Sequence, residues 1–252
     1  MQTGRRPQPL LIRVTHWVNV PVLAVMAMSG LQILRAYPRF GPQGATHGWV
    51  PLQNWSSPEW ARAGGWLAGA RHLHFALMWL FVGNALVYLT YMLASRELRR
   101  RWLWRPRELG LAVRQQLYYF DAARYQLARV LGRVVRRPQW ARRWIEAPPS
   151  GLYNPLQRAA YTGAIALGAI EVLSGLAIWK PVQLHWLAWL MGGYEGARLI
   201  HFFGLLALAA FVVAHLAMVA LHWRRFPEII TGGHADAAAE PTEPPPEKAA
   251  HA

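Results

Sequence analysis

Four stretches of this chain run for 21 to 25 residues with at most one formal charge: Val14 to Leu34, His72 to Ser95, Ala159 to Trp179 and Leu199 to Trp223. A bilayer core takes about 20 apolar residues of helix, and in lipid a backbone must satisfy its own hydrogen bonds, so such runs cross as helices. The fold class expected is therefore an all-α membrane protein, a four-helix transmembrane bundle. The first run is too long for a cleavable leader, and Pro38 and Arg39 follow it instead of a small-residue cleavage pattern, so it should remain as a signal anchor. Arg5 and Arg6 lack the surroundings of a twin-arginine export signal.

Charge gives the orientation. Of the 27 Lys and Arg, three precede the first span, fifteen lie between the second and third, and three follow the fourth. The positive-inside rule places both termini and the loop 96–158 in the cytoplasm. The net charge of +15 is then a topology signal that anionic lipid accommodates, and no nucleic-acid partner is expected. Within the basic loop, Leu109, Val113, Leu117, Phe120, Leu127, Val130 and Leu131 recur at helical spacing among arginines over 108–135, as in a helix lying on lipid headgroups. A docking surface for a cytoplasmic partner is the alternative. After Thr231 the chain turns to Ala, Glu and Pro, which suits a disordered tail over 231–252, leaving 1–230 as the membrane domain.

The chain has no cysteine, which excludes disulfides, thiolate-bound iron–sulfur clusters, thioether-linked haem and thiol chemistry. Histidine is the remaining chemistry-bearing residue inside the spans. Three times an arginine stands three residues before a histidine at the mouth of an apolar run: Arg13 and His16, Arg71 and His74, Arg198 and His201. On a helix that spacing stacks the two side chains one turn apart. A buried imidazole under an interfacial guanidinium suits haem, the ring as axial ligand to iron and the arginine beside a propionate. His215 follows His201 by fourteen residues, roughly 21 Å deeper and within about 40° of the same face. Following the chain through the bilayer pairs the histidines by depth: His74 with His201 on the outer side, His16 with His215 on the inner. Two stacked haems are the expectation. His72, about 200° round the helix from His74, competes for the outer site, and depth alone slightly favours His222 over His215 for the inner one. His47, His185, His234 and His251 fall in loops or tail, where solvated side chains are expected.

The motifs Arg13-Val-Thr-His16-Trp17, Ser29-Gly30-Leu31, Arg71-His72-Leu73-His74-Phe75 and the His201/His215 pair resemble the bacterial di-haem cytochrome b561 and Ni,Fe-hydrogenase-type cytochrome b subunits over nearly all of residues 10 to 230. That resemblance implies two haem b groups held by His16, His74, His201 and His215, and a multi-pass protein of the bacterial cytoplasmic membrane. It also implies electron transfer between a quinone and a periplasmic oxidoreductase subunit. Tyr153-Asn154-Pro155-Leu156-Gln157 and Gly64-Gly65-Trp66-Leu67-Ala68-Gly69-Ala70-Arg71 look most like the branch beside molybdopterin enzymes, with a hydrogenase as the next partner. The competing functions are a stand-alone quinol oxidoreductase for a small acceptor such as superoxide, and a haem-free membrane anchor, which would have no reason to match histidines by depth.

Quinone chemistry needs polar groups on the inner side, and Asn19, Asn154, Gln157 and Tyr161 are the candidates; Asn154 before Pro155 equally reads as a helix N-cap. Glu171, the one carboxylate within a span, should be protonated or hydrogen-bonded inside the bundle, as a haem-pocket group, a proton relay, or a structural partner of a residue such as Asn84. Gly30, Gly163, Gly168, Gly175 and Gly204 allow close approach of helices or of a flat macrocycle. The echo of Ser29-Gly30-Leu31 in Ser174-Gly175-Leu176 is too short to establish a duplication. Trp49, Trp55, Trp60 and Trp66 suit an interfacial aromatic belt or a partner contact.

Overall fold

The computed structural model describes residues 8–42, 46–52, 55–102, 106–131, 145–146, 154–221, 223 and 226–232. His222, His234, His251, Tyr153, Arg5, Arg6 and the tail from 233 lie outside the described residues. In chain order the elements are α1 (Leu10–Ala36), a single 3-10 turn (Glu59–Ala61), α2 (Leu67–Ala94), α3 (Glu97–Arg101), α4 (Pro106–Leu131), α5 (Pro155–Trp179), α6 (His185–Leu190), α7 (Gly193–Leu221) and α8 (Glu228–Thr231). Four of them, α1, α2, α5 and α7, are long and apolar enough to cross a membrane. Each begins several residues before its uncharged run, so Arg13, Arg71 and Arg198 are helical. A long arginine can lie along the helix and reach the headgroups, and the backbone ladder need not stop where hydrocarbon does.

The four spans form two hairpins, α1 against α2 and α5 against α7. Small residues let them close: Ser29, Ala70, Ser174, Ala177 and Ala197 are fully buried. Asn84 ties the first hairpin, its Nδ2 donating to Asn19 Oδ1 at 2.7 Å and to the Thr15 carbonyl at 2.8 Å. Between the hairpins large side chains make the contact. Phe75 and Trp79 of α2 meet Trp179 of α5 at ring-centre distances of 5.2 and 6.3 Å. Leu34 of α1 packs in a cluster with Phe202 and Leu206 of α7.

Each end of the bundle has its own fastening. On the side where α2 begins, Gly64 and Gly65 both have positive φ, 93° and 67°, which turns the chain into α2. There α6 seals the α5–α7 corner with Leu187 and Ala188 against Ala177 and Ala197. The loop after α1 folds over the start of α7, burying Phe40 and Val50 on Phe202. At the opposite end α8 docks on α1: Gln8 N donates to the Gly232 carbonyl at 2.7 Å, Trp17 Nε1 to that of Ile229 at 3.3 Å, and Arg13 to that of Ile230.

A capping box opens α5. Asn154 Oδ1 accepts from Gln157 N at 2.8 Å, Gln157 Oε1 accepts from Asn154 N at 3.1 Å, and Pro155 follows the cap. Beside this end lies α4, whose burial is inverted: Gln115 and Asp121 are buried while Leu109, Val113, Leu117, Phe120 and Leu127 are exposed. Partners for the buried polar groups explain the inversion. Asp121 binds Arg124 at 2.6 Å and accepts from Ile145 N at 3.3 Å. Glu108 pairs with Arg158 at 3.0 Å, and Tyr119 accepts from Asn154 Nδ2 at 3.2 Å, so α4 is anchored to α5 by polar contacts and leaves its apolar stripe facing outward.

Candidate haem sites

The four histidines chosen at matched depths come together as two pairs, each bridging the hairpins. His74 of α2 faces His201 of α7 with ring centres 6.4 Å apart and planes at 72°. His16 of α1 faces His215 of α7 at 6.1 Å and 60°. Such angles exclude stacked imidazoles. A metal–imidazole bond is about 2 Å and the ring centre lies roughly 1 Å behind the nitrogen, so two rings sharing one metal stand roughly 6 Å apart. Both pairs meet that spacing, and the unbroken α7 carries one member of each.

Hydrogen bonding fixes which nitrogen the outer rings can offer. His74 Nδ1 lies 3.1 Å from the Met26 carbonyl and 3.0 Å from Ser29 Oγ. A carbonyl oxygen only accepts, so Nδ1 carries the hydrogen and Nε2 keeps its lone pair, the form that binds a metal. His201 repeats the arrangement on the second hairpin, with Ser174 Oγ at 3.0 Å and Glu171 Oε2 at 3.1 Å from its Nδ1. Ser174 gives its own hydrogen to the Ile170 carbonyl at 2.6 Å, which leaves its oxygen to accept from the ring. Behind each ring stands a glycine: a Cβ at Gly30 would lie 3.6 Å from His74 Cε1, and one at Gly175 3.4 Å from His201 Cε1. The Ser-Gly echo in the sequence is thus a shared device for seating a histidine from the neighbouring helix.

The inner pair is supported differently. His16 Nδ1 is buried without a hydrogen-bond partner among the described residues. The His16 ring meets Trp17 edge-on at 5.5 Å, and that of His215 stacks on Phe211 at 6.1 Å. His72 is exposed on the far side of α2 from His74.

Other expected site residues have specific places. Glu171 contacts His201; Asn84, suggested as its partner, bonds instead to Asn19 and Thr15, because those atoms line the α1–α2 interface and Glu171 looks toward α7. Arg198 is almost fully buried and donates to Glu195 at 2.8 Å and to the Tyr37 and Arg39 carbonyls at 3.0 Å, lying over the Tyr37 and Phe40 rings. It clamps the loop after α1 onto α7. Arg13 contacts the end of α8, and Arg71 is exposed at the start of α2. Among the polar residues expected to serve a quinone, Asn19 is held by Asn84, Asn154 and Gln157 form the cap, and Tyr161 lies under Arg101 at 5.3 Å. Trp49, Trp55, Trp60 and Trp66 are all exposed, as are Trp186 and Trp189, which the sequence reading did not single out.

A bundle of four membrane-spanning helices that presents facing histidines from separate hairpins defines a class: a membrane cytochrome of the b type, in which the polypeptide grips haem without covalent attachment. The family follows from the sequence match. The model of the prokaryotic cytochrome b561 family fits residues 8–232, and the chain belongs to that family. It is accordingly a multi-pass protein of the bacterial inner membrane that binds b-type haem and carries electrons. A relative from Azospira oryzae, named as the protein-methionine-sulfoxide reductase subunit YedZ1, is 38% identical over 224 residues, covering 89% of this chain and 95% of the relative. No solved structure matches the chain.

Proposed function

We propose that this chain holds two b-type haems, the outer between His74 and His201 and the inner between His16 and His215, and passes electrons from a quinol near the cytoplasmic face to a periplasmic molybdopterin oxidoreductase. The observation that carries the reading is the pair of facing histidine couples at 6.4 and 6.1 Å, built from three helices with α7 common to both. Bound haem supplies reversible one-electron iron chemistry inside hydrocarbon that otherwise excludes charge. The residues do the rest. Ser29 and Ser174 hold the outer rings in the ligating tautomer, Gly30 and Gly175 leave room beside them, and the hairpins keep the two members of each pair on opposite sides of one gap. The relative's name as a reductase subunit supports outward electron flow, since a periplasmic reductase consumes electrons. The excess of Lys and Arg in the termini and the loop 96–158 supports cytoplasmic termini, which puts the His16–His215 pair on the quinol side.

Membrane lipid is the further partner in this reading. The exposed stripe Leu109, Val113, Leu117, Phe120 and Leu127 of α4, on a strongly basic segment, suits the boundary between headgroups and acyl chains.

The test is reduction of the purified protein by a soluble quinol, followed in the haem α-band. Reduction of both haems in wild type, slowed at least tenfold in His215→Ala for the haem that remains, is the expected result. Haems that dithionite reduces and quinol leaves oxidised would remove the quinone end of the proposal.

A further inference from the structure

The two outer ligands are seated alike but not identically. Each hairpin offers Nδ1 of its partner histidine a serine hydroxyl, Ser29 or Ser174, and a second acceptor from the residue three positions earlier. For His74 that acceptor is the backbone carbonyl of Met26; for His201 the backbone of Glu171 takes the same place, and its carboxyl oxygen Oε2 is added at 3.1 Å. The remaining carboxyl oxygen, Oε1, is buried without a hydrogen-bond partner, and it rests against Gly204, where any Cβ would collide with it. Gly204 is one turn beyond His201 on α7, so the helix that carries the ligand also makes the space for the carboxyl behind it. A carboxyl in the middle of a span is expensive unless it is put to use.

We propose that Glu171 is a positioning residue for His201: it accepts the Nδ1 hydrogen, fixes the ring, and makes His201 a stronger electron donor to iron than His74. This rests on the two-haem reading above. A hydrogen-bond acceptor behind a ligating imidazole raises the basicity of the ligand, and a more basic ligand favours ferric over ferrous iron. The outer haem would therefore sit at a lower potential than the same site without that carboxyl acceptor, while the inner haem, whose His16 has no such partner among the described residues, is untouched by the change.

The experiment is an optical redox titration of the full-length protein in detergent, with Glu171→Leu, Gly204→Ala and wild type compared. His74→Ala identifies the outer component by its disappearance. Glu171→Leu keeps the bulk but removes both acceptor oxygens, and Gly204→Ala pushes the carboxyl aside without removing it. Both variants are expected to keep two haems and to raise one potential, the outer, so that its ferric-to-ferrous ratio at fixed potential falls about tenfold, about 59 mV for one electron. Two haems with both potentials unmoved in the two variants would overturn this inference and leave the ligand assignment standing. Loss of the outer haem in both variants, not recovered in Glu171→Asp, would mark Glu171 as structural and equally overturn it. A wild type without a haem sensitive to His74→Ala and His201→Ala would remove the ligand assignment, and this inference with it.

Discussion

The outer and inner histidine pairs have almost the same spacing, 6.4 and 6.1 Å between ring centres, yet the polypeptide supports them in different ways. At the outer pair both Nδ1 atoms are hydrogen-bonded, two serines and two glycines frame the rings, and Arg198 fastens a loop over the start of α7. At the inner pair His16 Nδ1 has no partner among the described residues, and His215 is held through an aromatic stack with Phe211. Hydrogen bonds select a tautomer and an orientation, whereas stacking restrains a ring and leaves its tautomer free. In the proposed two-haem reading, the outer rings are already oriented by hydrogen bonds, whereas the inner rings are restrained by aromatic contacts alone among the described residues.

The largest effect expected from this contrast is loss of a whole cofactor. His201→Ala should remove the outer haem alone and His215→Ala the inner alone, read by haemochrome content per chain; both haems retained in either variant would undo the assignment. Smaller, and aimed at the difference between the sites, is the double variant Ser29→Ala with Ser174→Ala. Deleting hydrogen-bonded supports behind metal ligands costs about 10–100-fold in affinity, so haem should leave the outer site that much more readily in a transfer assay with apomyoglobin. Release from the inner site should keep its wild-type rate. If the two sites lose haem equally, the serines are not what separates them.

Next comes the clamp. Arg198→Ala strands a buried charge network of three acceptors, at about 1–3 kcal/mol, and should loosen the loop after Tyr37, seen as faster proteolysis between the first two spans. Unchanged cleavage would return Arg198 to a role at the haem itself. The smallest effect expected is at the cap of α5: Asn154→Ala should lower thermal stability by about 1 kcal/mol with both haem spectra intact, since its oxygen is committed to Gln157 N. Loss of quinol reduction in that variant would place a quinone contact there instead.

Much of this architecture could be read along the chain because it depends on relations within one helix. Uncharged length gave the spans, the fourteen-residue interval gave two ligands on one face of α7, and Asn154-Pro155 with Gln157 gave the cap. The relations that escaped reading run between helices. Ser29 and Ser174 lie far from His74 and His201 in sequence, and only the repeated Ser-Gly-Leu hinted that the two hairpins do the same thing. Glu171 was expected inside the bundle, but helical phase on α5 alone could not distinguish Asn84 from His201 as its neighbour. Arg198 shares the spacing of Arg13 and Arg71 before a histidine and has Glu195 three residues before it on α7, yet the folded loop supplies it with the Tyr37 and Arg39 carbonyls, contacts that no spacing rule contains.

The central claim is that four histidines on three helices make two haem sites. A pyridine haemochrome count on the purified full-length protein tests it most directly. Two haem b per chain is the result this account requires; one or none would contradict it.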